Sequence, residues 1–176
     1  NADEINQQMV SFIKEYVKDT AAIKELDKRL KSIEKTKAGS NFAGFEAEDI
    51  NGKAVNYESL KGKLVYVDVW ATWCKPCLQE LPAMKALQEE YKGKDITFVS
   101  LSVDKDKEAW KAMVTEEKMQ GVQLHIDLGA HRDFIENYDL TGIPRFFLIS
   151  KEGKIISISA PRPSEAKIKE LINANL

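Results

Sequence analysis

Residues 64–69 read Leu-Val-Tyr-Val-Asp-Val, a nearly unbroken β-branched and aromatic run. A strand with one wet face alternates apolar and polar residues, whereas a continuous apolar run belongs to a strand covered on both sides. Such a strand needs neighbours in its sheet and a layer on each face, which points to an α/β architecture rather than a bundle or a sandwich. The one polar residue inside the run is Asp68. Directly after it come Trp70-Ala71-Thr72-Trp73-Cys74-Lys75-Pro76-Cys77, which hold the only two cysteines of the 176-residue chain.

The flanking segments fit this frame. Phe42–Ile50 reads as a strand, and Asn51-Gly52 as a hairpin turn leading to Val55. Leu60-Lys61-Gly62 closes that excursion before the buried run. Pro76–Tyr91 carries Leu78, Leu81, Met84, Leu87 and Gln88 at helical spacing. Ile96–Val103 is a second buried strand, Lys105–Met119 a helix, Gln123–Ile126 a short strand and Arg132–Tyr138 a short helix. Arg145–Ser150 and Ile155–Ser159 form a hairpin across Lys151–Lys154, and Ser164 is placed to cap a last helix ending at Asn173. The expected fold is a mixed β-sheet with helices on both faces. Ahead of it, residues 2–36 read as one long helix: Ile5, Met9, Phe12, Ile13, Tyr16, Val17, Ile23, Leu26, Leu30 and Ile33 recur largely at spacings of three and four. Lys37–Asn41 breaks this pattern like a linker, so the expected division is a helical extension at 1–37 and a domain at 38–176. The helix stripe must be buried, against the domain, against a segment outside this chain, or in a dimer through residues 2–36.

Composition bounds the functional classes. The formal net charge is −2, with acids and bases interspersed, so no basic block invites nucleic acid. No apolar run approaches the roughly 20 residues of a membrane span. The chain starts at Asn1 rather than Met, so we expect a processed chain or a piece of a longer one, with room for an anchor or an N-terminal domain ahead of it. Two cysteines are too few for a disulfide scaffold.

The spacing of the cysteines points to chemistry. A disulfide stabilises mainly by closing a long loop, and a ring across two residues closes almost none. Thiols at i and i+3 at a strand–helix junction can instead open and close reversibly. The thiolate is the nucleophile, and an ordinary cysteine with pKa near 8.5 is about 3% thiolate at pH 7. Cys74 falls where unpaired N–H groups and the helix dipole favour negative charge. Lys75 adds a positive neighbour, and Pro76 is tolerated in the first helical turn. Cys74 is thus the attacking thiol and Cys77, one turn on, the resolving thiol. A zinc site completed by His125 and His131 is the rival, although the His-x5-His spacing exceeds the usual three to five.

The segment Val67–Cys77 resembles the thioredoxin superfamily. The Trp70–Cys74 sequence with Glu80-Leu81-Pro82 resembles its ResA/TlpA-like branch, the extracytoplasmic thiol-disulfide oxidoreductases of bacteria. The likeness spans about residues 42–176 and is anchored also by the Gly52–Gly62 excursion, Gly142-Ile143-Pro144 and Glu152-Gly153-Lys154. It implies a thioredoxin-like fold and a location in the periplasm or cell envelope. The partners it implies are protein thiols and disulfides and an upstream electron donor. It implies no cofactor and no metal. Pro144 matches the family's cis-proline, exposing the Ile143 backbone to an extended substrate, and Trp73 would cover Cys74 and contribute to docking. Trp70 is either core or part of that surface. Asp68 sits where thioredoxin itself has a buried aspartate and many of the branch have asparagine. It is either a proton acceptor for Cys77 with a raised pKa or a buried acid satisfied by hydrogen bonds. Ser100 falls near the place of thioredoxin's partner lysine. Glu80 matches an acidic residue of the branch and is either a proton handler or a solvated glutamate. The function expected is protein thiol-disulfide exchange, as a reductant. The alternatives are a peroxiredoxin-like thiol peroxidase with antioxidant activity, and a binding module using the N-terminal helix.

Overall fold

The computed structural model describes residues 2–176, with residues 2–7 and 9 followed along the backbone alone. The chain divides into a helical unit ending at Lys35 and a larger unit, Thr36–Leu176. In the helical unit the expected single helix is two, α1 (Ala2–Tyr16) and α2 (Thr20–Thr36). The interruption has a local cause: the Asp19 carboxylate accepts the Ala21 and Ala22 N–H groups at 2.8 and 3.3 Å, as an N-cap does when it starts a new helix. Lys14 and Asp27 pair across the two helices at 2.6 Å. Among the described residues no helix is long and apolar enough to cross a membrane.

The larger unit holds β1 (Glu46–Asp49), β2 (Ala54–Asn56), β3 (Leu64–Trp70), α3 (Lys75–Glu90), β4 (Ile96–Ser102), α4 (Lys107–Glu116), β5 (Val122–His125), α5 (Arg132–Tyr138), β6 (Arg145–Ile149), β7 (Ile155–Ser157) and α6 (Lys167–Asn173). One seven-stranded sheet runs in the order β2-β1-β5-β4-β3-β6-β7. β3–β4 and β4–β5 pair in parallel, and the other neighbours are antiparallel. The expected strand at 42–50 begins only at Glu46. Gly44 takes a φ of +82°, and a Cβ there would lie 3.1 Å from Tyr57 Cβ, so the backbone turns in to seat Phe42 and Phe45 in the core. The segment expected to be a linker is tied down: Gly39 N donates to Ile155 O, and Phe42 N to Gly153 O.

β3 is buried along its whole length, and its period of two sorts its side chains between two cores. Val65, Val67 and Val69 join Val99, Leu101, Leu124 and Phe147 on one face, under the rings of Phe42, Phe45, Tyr57, Phe134 and Tyr138. Leu64 and Tyr66 join Phe98, Phe146 and Leu148 on the other, covered by Met84 and Leu87 of α3, by Tyr91 at its C-terminal cap, and by Ile168 and Ile172 of α6. Asp68 has the parity of Leu64 and Tyr66, so it points to the face that α3 covers. Phe147 is fully buried, with ring centroids of Phe42, Phe134 and Tyr138 at 6.1, 6.1 and 5.3 Å. Phe147→Ala is expected to lower unfolding free energy by about 3–5 kcal/mol in urea titrations; a loss under about 1 kcal/mol would mean these rings are not the main core.

Candidate active site

β3 ends at Trp70, and the chain turns once before α3. Cys74 N donates to Ala71 O at 3.0 Å, closing that turn. Cys74 is the N-cap of α3, with Cys77 N donating to its Sγ at 3.3 Å. The two cysteines form a disulfide with Cα atoms 5.2 Å apart. Pro76 lies in the first turn of α3, where a missing N–H leaves no helical bond unmade. The sulfurs are buried, while Trp73 is 68% exposed beside them and Lys75 and Pro76 face solvent. Trp70 is core, 1% exposed among Ala71, both cysteines and Trp110.

Ile143–Pro144 is a cis peptide, and Ile143 packs against the cluster that contains both cysteines. A groove of about 1150 Å³ opens on this side, walled by Trp73, Val103, Leu128, Leu140 and Ile143. A smaller hollow of about 430 Å³ lies past Pro144, lined by Arg145, Pro161 and Arg162.

The two acids lie on the elements that flank the pair, Asp68 on β3 and Glu80 on α3. Asp68 is 4% exposed, and its Oδ1 has no hydrogen-bond partner among the described residues. Its strand neighbour across β4 is Ser100 rather than a cation. Burial, and secondarily the Glu80 carboxylate, push its carboxyl up to about 8. Glu80 is not a solvated surface residue. It is 8% exposed, and its two oxygens accept Ser164 N–H and Ser164 Oγ–H at 3.0 Å each. Arg162 Nη1 lies 3.8 Å away. Ser164 therefore does not cap α6; that helix starts at Lys167 after Ala166, with no side-chain cap.

The histidines take other places. His125 Nε2 lies 2.7 Å from Asp104 O, which makes it the donor to that carbonyl, and His131 precedes α5. Among the described residues no three His, Cys, Asp or Glu side chains are grouped to hold a metal ion. Two residues that the sequence did not single out for the site belong beside it. Ser164 holds Glu80 from 84 positions away, and Asp104 holds Thr72 from 32 positions away. Neither has a local signal, because each contact is made by the way the sheet brings its loops to one edge.

Three comparisons bear on this geometry. The Redoxin family model matches residues 37–172. The thiol-disulfide oxidoreductase ResA of Bacillus subtilis is 33% identical over 135 residues, which cover 77% of this chain and 74% of that protein. Two solved structures of candidate thiol-disulfide oxidoreductases from Bacteroides vulgatus are similar. A crystal structure has a TM-score of 0.75 and 38% identity, covering 81% of this chain and 99% of that one. A solution structure has a TM-score of 0.68 and 55% identity, covering 75% and 86%.

Proposed function

The chain belongs to the redoxin family, as a ResA-like thiol-disulfide oxidoreductase, and from that premise we propose that it reduces disulfides of partner proteins outside the cytoplasm. The observation that carries the reading is the Cys74–Cys77 disulfide at the head of α3, next to an exposed Trp73 and the Ile143 side of a groove. In the reduced chain the Cys74 thiolate attacks one sulfur of a partner disulfide. A Cys74–partner bond forms, and the other partner sulfur leaves as thiolate and takes a proton. Cys77, deprotonated, then attacks Cys74 Sγ; the intramolecular disulfide forms and the second partner sulfur departs. Two electrons pass to the partner, and a donor dithiol must return them.

Asp68 and Glu80 are the proton handlers in this reading. Asp68 is buried on the sheet face that α3 covers, and Glu80 is held on α3 itself. Trp73 and Ile143 form the surface on which an extended segment around the partner's disulfide lies, and Pro144 sets the Ile143 backbone towards it. Lys75 favours the Cys74 thiolate, though from a solvated position where charge is screened.

The reducing direction is supported by the weak hold on the Cys74 sulfur. Among the described residues one N–H is aimed at Cys74 Sγ, at 3.3 Å, and the same N–H also donates to the Cys74 carbonyl at 2.9 Å. A thiolate held weakly leaves the disulfide as the favoured form. Equilibration with glutathione is expected to give a reduction potential below about −200 mV; a value near −120 mV, the range of strong oxidants, would overturn the direction while leaving the exchange chemistry intact. A peroxidase reading is not supported by the Cys-x-x-Cys pairing or by the relatives.

A further inference from the structure

We propose that Asp104 is a positioning residue for the thiol chemistry: its buried carboxylate holds the turn between β3 and α3 so that the Cys74 sulfur meets the head of the helix. The inference rests on the reading of Cys74 as the nucleophile and adds a residue from a different strand end.

Asp104 follows β4 and is 3% exposed. Its side chain accepts from two residues. Thr72 N donates to Oδ1 and Oδ2 at 3.1 and 3.0 Å, and Thr72 Oγ1 donates to Oδ1 at 2.7 Å. Ser102 Oγ donates to Oδ2 at 2.8 Å. The residue is itself fixed from two sides. Its N–H donates to Ser102 Oγ at 3.1 Å, and its carbonyl accepts from His125 Nε2 on β5. His125 in turn lies against the Trp110 ring, with centroids 5.4 Å apart. A chain of contacts thus runs from β5 through the end of β4 to Thr72.

Thr72 is the second residue of the turn that the Cys74 N–H closes on Ala71 O. Ala71 is fully buried at its other end. With Ala71 packed and Thr72 gripped at both its backbone and its hydroxyl, the direction in which Trp73 and Cys74 leave the sheet has little freedom. That direction decides how the Cys77 N–H is shared between Cys74 O, at 2.9 Å, and Cys74 Sγ, a contact already 3.3 Å long in the disulfide form. In the reduced chain the same N–H is the donor that favours the thiolate. Releasing the turn misaligns the donor and lowers the thiolate fraction at neutral pH. A buried charge that acted on the thiol only through space would have the opposite sign, because removing a negative neighbour favours the thiolate.

The test is the alkylation rate of Cys74 in the reduced 176-residue chain from pH 5 to 9, read by peptide mass, with circular dichroism for folding. Asp104→Ala is expected to slow Cys74 about tenfold at pH 7, one unit of thiol pKa. Asp104→Asn keeps an oxygen facing Thr72 and is expected to recover to within about threefold of the parent. Asp104→Ala within twofold of the parent overturns the proposal, as does Asp104→Asn that is as slow as Asp104→Ala or faster than the parent. If Asp104→Ala does not fold, Thr72→Val decides. It removes one hydroxyl donor at nearly constant shape, and a rate indistinguishable from the parent overturns the proposal. Asp106→Ala, which removes a cap of α4 but no bond to Thr72, controls for general loosening of the loop and is expected to leave the rate unchanged. Because alkylation needs no protein partner, failure here is distinct from failure of the parent chain to reduce a protein disulfide.

Discussion

Cys77→Ser halts the reaction at its midpoint. Mixed with a protein disulfide, the reduced variant is expected to accumulate a covalent adduct through Cys74, visible on a non-reducing gel and cleared by added thiol. Cys74→Ser forms no adduct and loses exchange by at least roughly a thousandfold, the scale on which nucleophile deletions act. The asymmetry comes from the head of α3. Cys74 sits at the N-cap, where Cys77 N–H points at its sulfur, so it is the thiol whose charged form is favoured. Cys77 lies inside the first turn and is as buried as Cys74, at 3% and 4% exposed, so its place in the helix rather than its burial separates the two. An adduct through Cys77 in the Cys74→Ser chain, or equal adduct formation by both variants, would reverse the assignment. Full activity of Cys74→Ser in its biological setting would favour the binding-module alternative.

Asp68→Asn is expected to act on stability and on kinetics with different pH signatures. The Asp68 carboxyl stands near 8 in the folded chain against an ordinary 3.8, chiefly because it is buried and secondarily because Glu80 is near. Between about pH 4 and 8 the native state keeps a proton that the unfolded state has released, so unfolding free energy falls as pH rises through this window. Below pH 4 both states hold the proton and the effect disappears. Asn cannot titrate. The oxidised variant is therefore expected to melt higher than the parent at pH 8, by on the order of 5–10 °C for a few kcal/mol in a domain of this size, and to converge with it near pH 4. The closed disulfide removes both thiols from the titration, so the difference reports Asp68. In the reduced chain the sign for catalysis is the reverse. Only ionised Asp68 can take the proton of Cys77, so release of the mixed disulfide should quicken with pH and level off above about 8. Asp68→Asn should flatten that rise and slow release at pH 8 at least about tenfold. A raised melting point with unchanged release kinetics would make Asp68 a structural acid only.

Much of this was legible in the chain because its signals are local. The apolar run at 64–69 announces a doubly covered strand, and β3 is buried at every position. The short helix at 132–138 and the hairpin around Gly153 follow from apolar spacing and turn residues, which act over a few positions. Failures arose where a neighbour distant in sequence, or a small polar residue, overrode the pattern. The stripe across 2–36 resumes in phase at Ile23, seven positions after Tyr16, yet Asp19 takes two amide protons and divides the helix. Ser164 has the composition of a cap, but a buried carboxylate on α3 is the more demanding acceptor and takes both its donors. The sequence left Glu80 open between a solvated face and a proton site, because helical spacing does not say what the following loop will cover.

The sequence by itself determined the cysteine pair, the strand that leads into it and the place of Cys74 at the head of a helix, since a strand end, a proline in the first turn and an i, i+3 spacing are properties of consecutive residues. Tertiary structure alone decided what surrounds the pair. Register with β4 set Ser100 rather than a cation beside Asp68, parity along β3 turned that acid toward α3, and sheet order carried Asp104 to Thr72 and Ser164 to Glu80. The reason is range: periodicity and capping act within a turn or two, whereas the dielectric and the proton partners of a buried thiol depend on whichever distant loops close over it.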